Sequence, residues 1–161
     1  MMRLSATIAL ALPVALAAQS PAAPTAAQRA TILAVADSAL AAINRGDMNA
    51  FTNLMTPEAQ TIVVRAGDTV RVTVRTREEW RSRPSTSRVT ERGFRGEVHV
   101  SGPLAVVWLP YDLYVNGAWS HCGVDTFTLV QSAGVWKITS LSYTIEQPPA
   151  CARHPDGPPR G

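Results

Sequence analysis

Residues 104–146 read LAVVWLPYDLYVNGAWSHCGVDTFTLVQSAGVWKITSLSYTIE, and this stretch decides the fold. It predicts three successive antiparallel strands at 104–115, 119–131 and 134–146, joined at Asn116-Gly117 and around Ser132-Ala133-Gly134. A two-residue Asn-Gly turn sets the register of a hairpin, and the register decides which side chains share a face of the sheet. The positions of candidate functional residues can therefore be counted from the turn.

The predicted register brings most of the large polar and aromatic side chains onto one face. Counting outward pairs Val115 with Ala118, Tyr114 with Trp119, Asp112 with His121 and Trp108 with Asp125. The second turn predicts Phe127 opposite Ile138 and Leu129 opposite Trp136. We expect this face to form the wall of a pocket, with ligand contacts from Trp108, Asp112, Tyr114, Trp119, His121, Asp125 and Trp136.

The predicted Asp112–His121 pair is the sharpest chemical feature. A neighbouring carboxylate raises the pKa of a histidine and orients its ring, so the pair could act as a general acid and base. Asp125 would add a second carboxylate, and Tyr114 and Tyr143 would add phenols. The same groups could equally form a structural hydrogen bond or contact a ligand without catalysis, and the tryptophans could fill a core instead of stacking on a flat ligand.

The opposite face of the predicted strands is apolar. It carries Val107, Leu109, Tyr111, Leu113, Val115, Cys122, Val124 and Val130. A face of this kind is rarely left in water. It could be a homodimer interface, or the C-terminal tail could cover it through a Cys122–Cys151 disulfide; two free thiols are the alternative to that bond.

Two helices and a hairpin precede this meander. Thr25 and Gln28 predict a capping box at the start of a long helix that ends before Gly46, and Asp47 caps a second helix that we expect Pro57 to end. The ranges 60–65 and 69–75 predict a hairpin, 77–82 a short helix after a Thr76 cap, and 88–100 one strand. Helices followed by a long antiparallel meander are typical of an α+β fold.

Both ends of the chain differ in composition from the domain at 25–147. Residues 1–18 combine a positive start, a short apolar run and Ala15-Leu16-Ala17, which is typical of a secretory signal peptide. Residues 19–24 predict a linker, and residues 148–161 a Pro-rich C-terminal tail. We therefore expect an exported protein, periplasmic or secreted, with no membrane span after signal cleavage.

Charge and motifs argue against several other functions. The net charge is +3, and nine arginines crowd residues 65–95. A basic stripe can bind nucleic acid, but it lacks interleaved aromatic residues, so a solvated face is the preferred interpretation and no nucleic-acid partner is expected. The three histidines lack metal-ligand spacing, and the sequence contains no phosphate-binding or dinucleotide-binding glycine loop. No metal and no cofactor is predicted.

A resemblance to a known superfamily becomes specific at three places. Asn44-Arg45-Gly46-Asp47-Met48-Asn49-Ala50-Phe51 with Met55-Thr56-Pro57-Glu58-Ala59 resembles the helical opening of NTF2-like (SnoaL-like) domains, and Gly134-Val135-Trp136-Lys137-Ile138 resembles their last strand. The run from Trp108 to Phe127 is similar to exported bacterial members, some of which carry a lumazine-binding label. The resemblance implies a cone, a curved antiparallel sheet wrapped around N-terminal helices, often as a homodimer.

Three functions remain open from the sequence. The preferred one is an exported, non-catalytic domain that binds a small apolar or flat aromatic molecule in the cone. The first alternative is an isomerase, cyclase or dehydratase of the SnoaL or ketosteroid-isomerase type, with Asp112, His121 and Asp125 as acid and base. The second alternative is an envelope interaction module with a vestigial pocket. Fold alone does not choose among them.

Overall fold

The computed structural model describes residues 23–83 and 86–159. The predicted signal peptide and residues 19–22 of the predicted linker lie outside this part. In chain order the elements are α1 (Ala26–Asn44), α2 (Met48–Asn53), β1 (Met55–Arg65), β2 (Arg71–Thr76), α3 (Arg77–Arg81), β3 (Val89–Gly93), β4 (Glu97–Ser101), β5 (Leu104–Val115), β6 (Ala118–Ser132) and β7 (Val135–Ile145).

The strands form one curved, unclosed sheet with the order β2-β1-β7-β6-β5-β3, and β4 also pairs with β5. The sheet is mixed, because β1 and β7 run parallel while the other pairs are antiparallel. Helix α1 buries Ile32, Ala36, Ala39, Leu40 and Ala42 in the core on one face of this sheet. Its length and hydropathy would also suit a membrane span, a test that core helices of soluble proteins pass as well.

The predicted helix caps are present, and each satisfies free N–H groups of a first turn. Thr25 Oγ1 accepts from the Gln28 N–H at 3.1 Å, which is one of the two bonds of the capping box predicted there, and Thr76 forms a full capping box with Glu79. Gly46 has a φ of 69°, the left-handed conformation that glycine adopts readily.

Asp47 provides a test of the caps. Its carboxylate accepts from the Ala50 N–H at 2.9 Å at the start of α2. Asp47→Ala is expected to lower the free energy of unfolding by about 1 kcal/mol, because one N–H of the first turn loses its acceptor. Urea unfolding measures the change, and the exposed Asp37→Asn variant is a control that should stay near wild type.

Two predicted boundaries are wrong. Helix α2 ends at Asn53, before Pro57, because the Leu54 carbonyl accepts from the Ile138 N–H at 2.9 Å and starts β1 beside β7. The predicted strand 88–100 is two strands, β3 and β4, because Arg95 turns the chain with a φ of 51°. In both places a contact or turn that the local pattern does not reveal ends the element.

The predicted register of the Asn116-Gly117 hairpin is correct only next to the turn. Val115 pairs with Ala118 and Tyr114 with Trp119, but the register then shifts, so that Leu113 pairs with His121 and Asp112 with Cys122. Ser120 is the extra residue of a β-bulge, which advances the register of one strand by one position. The predicted Asp112–His121 and Trp108–Asp125 pairs are therefore wrong, and Asp125 pairs with Leu109.

The second hairpin has a two-residue turn at Ala133-Gly134, both with positive φ. Leu129 pairs with Ile138 and Phe127 with Leu141, so the predicted partners are wrong. The predicted grouping is nevertheless confirmed, because the shift preserves the alternation and Phe127, Leu129, Trp136 and Ile138 are all buried in one core.

We call the sheet face that packs on the helices the inner face, and the other the outer face. The bulge moves most of the predicted apolar outer face inward: Val107, Leu109 and Tyr111 are buried on the inner face. This correction removes most of the apolar surface from which a homodimer interface was predicted. The homodimer itself stays a prediction.

The C-terminal tail covers part of the outer face. The Cys122–Cys151 disulfide is present, with Cα atoms 5.7 Å apart, and it is compatible with the predicted export. Asp112 is fully buried beneath the tail, where its carboxylate accepts from Arg92 Nε at 2.9 Å, Arg92 Nη2 at 2.6 Å and the His154 N–H at 3.1 Å. Arg92 also donates to the Gly157 carbonyl, so one ion pair fixes the tail.

Candidate functional site

A cavity of about 310 Å³ lies between the helices and the inner face of the sheet. Its walls are mainly apolar, with Leu40, Phe51, Trp80 and Leu141 among them. Small-molecule sites are usually pockets of this kind, apolar with a few converging polar groups.

Two carboxyl groups, of Glu91 on β3 and Asp125 on β6, meet in the cavity. Glu91 is 8% exposed and Asp125 is 2% exposed. Burial raises the pKa of Glu91 to about 7, although its hydrogen bond with Asp125 opposes the shift. Burial and the neighbouring Glu91 raise the pKa of Asp125 well above its usual value. A hydrogen bond between two carboxyl groups needs a proton, so the pair holds one.

Asp125 has one buried oxygen with no hydrogen-bond partner outside the carboxyl pair. This oxygen is Oδ2, and apart from the Glu91 carboxyl no group in the described residues bonds to it. A buried polar atom left without a partner costs about 1 to 3 kcal/mol. The Glu91 carboxyl, which shares a hydrogen bond with Asp125, can satisfy this oxygen, and both residues line the cavity.

Asn44 at the end of α1 fixes Glu91. Its amide Nδ2 donates to the Glu91 carbonyl at 2.8 Å, and its Oδ1 accepts from the Glu91 N–H at 2.7 Å. The Asn44 side chain thus takes the place of a neighbouring strand beside β3, where the backbone of Glu91 would otherwise lack these partners. This pairing orients the Glu91 side chain into the cavity.

Asn44→Ala is expected to lower the free energy of unfolding by about 2 kcal/mol, because two partly buried hydrogen bonds are lost at about 1 kcal/mol each. The exposed Asn49→Ala variant is the matched control and should stay within about 0.5 kcal/mol of wild type. Chemical denaturation measures both. Equal stability of the two variants would show that Asn44 does not support β3.

Three further polar rings line the same cavity. Tyr111 donates from its hydroxyl to the Thr144 carbonyl at 2.6 Å, and burial raises its pKa. Burial and, next, the Glu91 charge raise the pKa of Tyr143. His121 lies edge to face with Tyr111 at 5.8 Å, its Nδ1 is 2.9 Å from Ser120 Oγ, and burial lowers its pKa. Both phenols are therefore neutral at physiological pH, and the imidazole favours its neutral form.

The cavity brings together only some of the predicted site residues. His121 and Asp125 line it. Asp112, Tyr114, Trp119 and Trp108 lie on the outer face, where Trp119 packs edge to face on Tyr114 and Trp108 is 49% exposed. Trp136 is part of the buried core and does not line the cavity. The bulge at Ser120 is the reason, since it separates His121 from Asp112 and Trp119.

Sequence reasoning missed Glu91 and placed Tyr111 on the wrong face. The sequence did contain a signal for Glu91, because alternation along a strand places this acidic side chain on the same face as Val89 and Gly93. Tyr111 had none, because its face depends on the bulge. In residues 23–83 and 86–159, no three His, Cys, Asp or Glu side chains lie close enough to hold a metal ion.

No family model and no curated protein matches this chain. Solved structures do. An NTF2-like protein from Cytophaga hutchinsonii has a TM-score of 0.60 at 18% identity, covering 73% of this chain and 98% of that one. The β subunit of a provisionally assigned aromatic-ring-hydroxylating dioxygenase from Novosphingobium aromaticivorans has a TM-score of 0.65 at 11% identity, covering 76% and 93%.

A third similar structure, from Streptomyces avermitilis, is a member of the NTF2-like family provisionally assigned as a dehydratase. Its TM-score is 0.57 at 17% identity, and the match covers 72% of this chain and 94% of that one. At such identities the likeness concerns the fold and leaves the activity undecided. These matches cover nearly the whole length of the similar structures and agree with the order of elements from α1 to β7. The chain therefore has the NTF2-like fold.

Proposed function

We propose that this protein binds a small, mainly apolar molecule in the inner cavity, with the Glu91–Asp125 pair as the polar contact. The pair itself carries the proposal, because two buried carboxyl groups converge on an otherwise mainly apolar cavity. A ligand hydroxyl or amide could donate to the pair. Stacking on Trp108 and Trp119 no longer supports a flat ligand, since these side chains lie on the outer face.

Blocking the cavity tests this function. Leu113 lines the cavity, whereas Val106 lies on the outer face. Leu113→Trp is expected to weaken binding of 2-naphthol at least about tenfold in calorimetry, and Val106→Trp to leave it unchanged. Native mass spectrometry of protein purified from its own host should show a small molecule on wild type and none on Leu113→Trp. Equal binding by both tryptophan variants would contradict the proposal.

Acid–base catalysis is a second candidate, and the buried carboxyl pair favours it. A carboxyl group with a raised pKa in an apolar cavity can exchange a proton with a bound substrate near neutral pH. The catalytic set would be Asp125 and Glu91 with His121, in place of the Asp112 set predicted from the sequence. The ionised carboxylate of the pair would take a proton from a carbon beside a carbonyl, leaving an enolate to which that proton, or one from water, returns.

Isotope exchange distinguishes catalysis from binding. In D₂O, an acid–base enzyme is expected to speed deuterium incorporation beside the carbonyl of 2-tetralone, as followed by NMR. Asp125→Asn should remove this acceleration, whereas the exposed Asp37→Asn should retain it. Binding of 2-tetralone with no acceleration by wild type would leave the binding function and exclude this proton transfer.

A further inference from the structure

We propose that the cavity selects a ligand with an anionic group at one end, an apolar body and a neutral hydroxyl or carbonyl at the other end. This inference rests on the proposed binding function and adds the chemical class and the orientation of the ligand. The anionic group would lie at the opening beside Arg65, and the neutral group would meet Glu91 and Asp125.

The opening of the cavity is positively charged. Arg65 is the last residue of β1, its side chain lines the cavity, and it is exposed. Arg83 also lines the cavity and is exposed. Within the described chain, neither arginine has an acidic partner within 4.0 Å, although Glu146 lies near the same end of β1 as Arg65. An arginine without a carboxylate partner is well suited to pair with an anionic ligand.

The positive charge of Arg65 reaches into the cavity. Burial is the largest cause that lowers the pKa of His121, and the charge of Arg65 is the second. The same charge acts to lower the pKa of Tyr143, against the effect of burial. Both rings line the cavity. The field at the opening therefore favours an anion and disfavours a cation.

The buried carboxyl pair has the reverse preference. Glu91 and Asp125 are acidic and buried, so an anionic group would be repelled there and would also lose its hydration. A neutral hydroxyl can donate to a carboxyl oxygen of the pair, and a carbonyl can accept the proton that the pair holds. The apolar walls of Leu40, Phe51 and Leu141 lie on the same cavity, which leaves one favourable orientation for such a ligand.

A matched set of probes tests both ends by calorimetry. 6-Hydroxy-2-naphthoate carries both polar groups, 2-naphthol lacks the carboxylate and 2-naphthoate lacks the hydroxyl. Wild type is expected to bind the first about tenfold more tightly than either of the others, because a hydrogen bond to a charged group contributes about 1.5 to 3 kcal/mol. The advantage over 2-naphthol should shrink with added salt, since Arg65 is exposed.

Variants assign each advantage to a side chain. Arg65→Gln should bring 6-hydroxy-2-naphthoate to within about twofold of 2-naphthol, and Asp125→Asn should reduce its advantage over 2-naphthoate. Arg95→Gln is the matched control, because Arg95 is exposed in the turn between β3 and β4 and does not line the cavity, and it should bind like wild type.

The outcomes separate this inference from the binding function itself. If 2-naphthol binds as tightly as 6-hydroxy-2-naphthoate in both wild type and Arg65→Gln, the anion preference is wrong while cavity binding stands. Tighter binding of 2-(aminomethyl)naphthalene than of 2-naphthol would also overturn it, in favour of a cationic ligand at the carboxyl pair. Failure of all four probes to bind would count against both proposals.

Discussion

Arg92→Met is expected to lower the free energy of unfolding by about 3 to 5 kcal/mol, because it would leave a buried carboxylate without its cation. Asp112 has no exposed surface, and Arg92 supplies two of its hydrogen bonds. The Arg92 side chain is only 19% exposed, so water would replace it poorly. The same change should loosen the tail, since Arg92 also holds the Gly157 carbonyl at 2.7 Å.

Urea unfolding of wild type and variant measures this effect. Arg88→Met is the control, because Arg88 is exposed and its replacement should cost less than about 0.5 kcal/mol. The double variant Arg92→Met with Asp112→Leu should recover much of the loss, since apolar groups often replace a buried ion pair at little cost. A loss below about 1 kcal/mol for Arg92→Met would show that the buried pair is not a support of the fold.

Because of Glu91, the free energy of unfolding of wild type is expected to fall by about 3 kcal/mol between about pH 4.5 and pH 7. Glu91→Gln should remove this fall. The folded pKa of Glu91 is raised from 4.5 to about 7, so in this window the unfolded chain binds fewer protons than the folded one. The contribution of this group to stability is therefore fully present below pH 4.5 and is lost as the pH rises to about 7. Glutamine does not titrate, so the variant should gain on wild type across this window.

The measurement is the difference in unfolding free energy between variant and wild type at pH 5 and pH 8. Taking the difference removes the titrating groups that do not interact with Glu91, whereas the pKa of Asp125 falls when the neighbouring Glu91 charge is lost and adds to the effect. Glu97→Gln, a matched change at an exposed strand position, should show a difference that does not vary with pH. An equal difference at both pH values for Glu91→Gln would mean that burial does not raise the pKa of this carboxyl group.

The fold was largely predictable from local patterns. The strands β5, β6 and β7, the caps at Thr25, Asp47 and Thr76, and the left-handed Gly46 all follow from turn chemistry and alternation, which involve neighbours in sequence. The resemblance to NTF2-like domains agrees with the observed topology. The ends of α2 and β3 were not predictable, because contacts with β7 and a turn at Arg95 set them.

The candidate site was only partly predictable, for one physical reason. Counting from Asn116-Gly117 assumes an unbroken ladder, and one inserted residue at Ser120 exchanges the two faces on one side of it. His121 and Asp125 were therefore correctly placed at the cavity, while Asp112 was not. Glu91 is 34 residues from Asp125 in sequence, and the pairing of β3 with β5 and of β5 with β6 brings the two together.

Local sequence patterns predicted most of the elements, their order and the α+β class, because helix caps, turns and period-two alternation act over a few residues. Only the tertiary structure decided which face of the β5–β6 hairpin meets the cavity, because a bulge shifts register without changing the residue pattern. In the structure, the two residues of the predicted Asp112–His121 pair lie on opposite faces of the sheet and have separate roles. Asp112 became a buried ion-pair partner that fixes the tail, and His121 became a wall of the cavity that holds the Glu91–Asp125 pair.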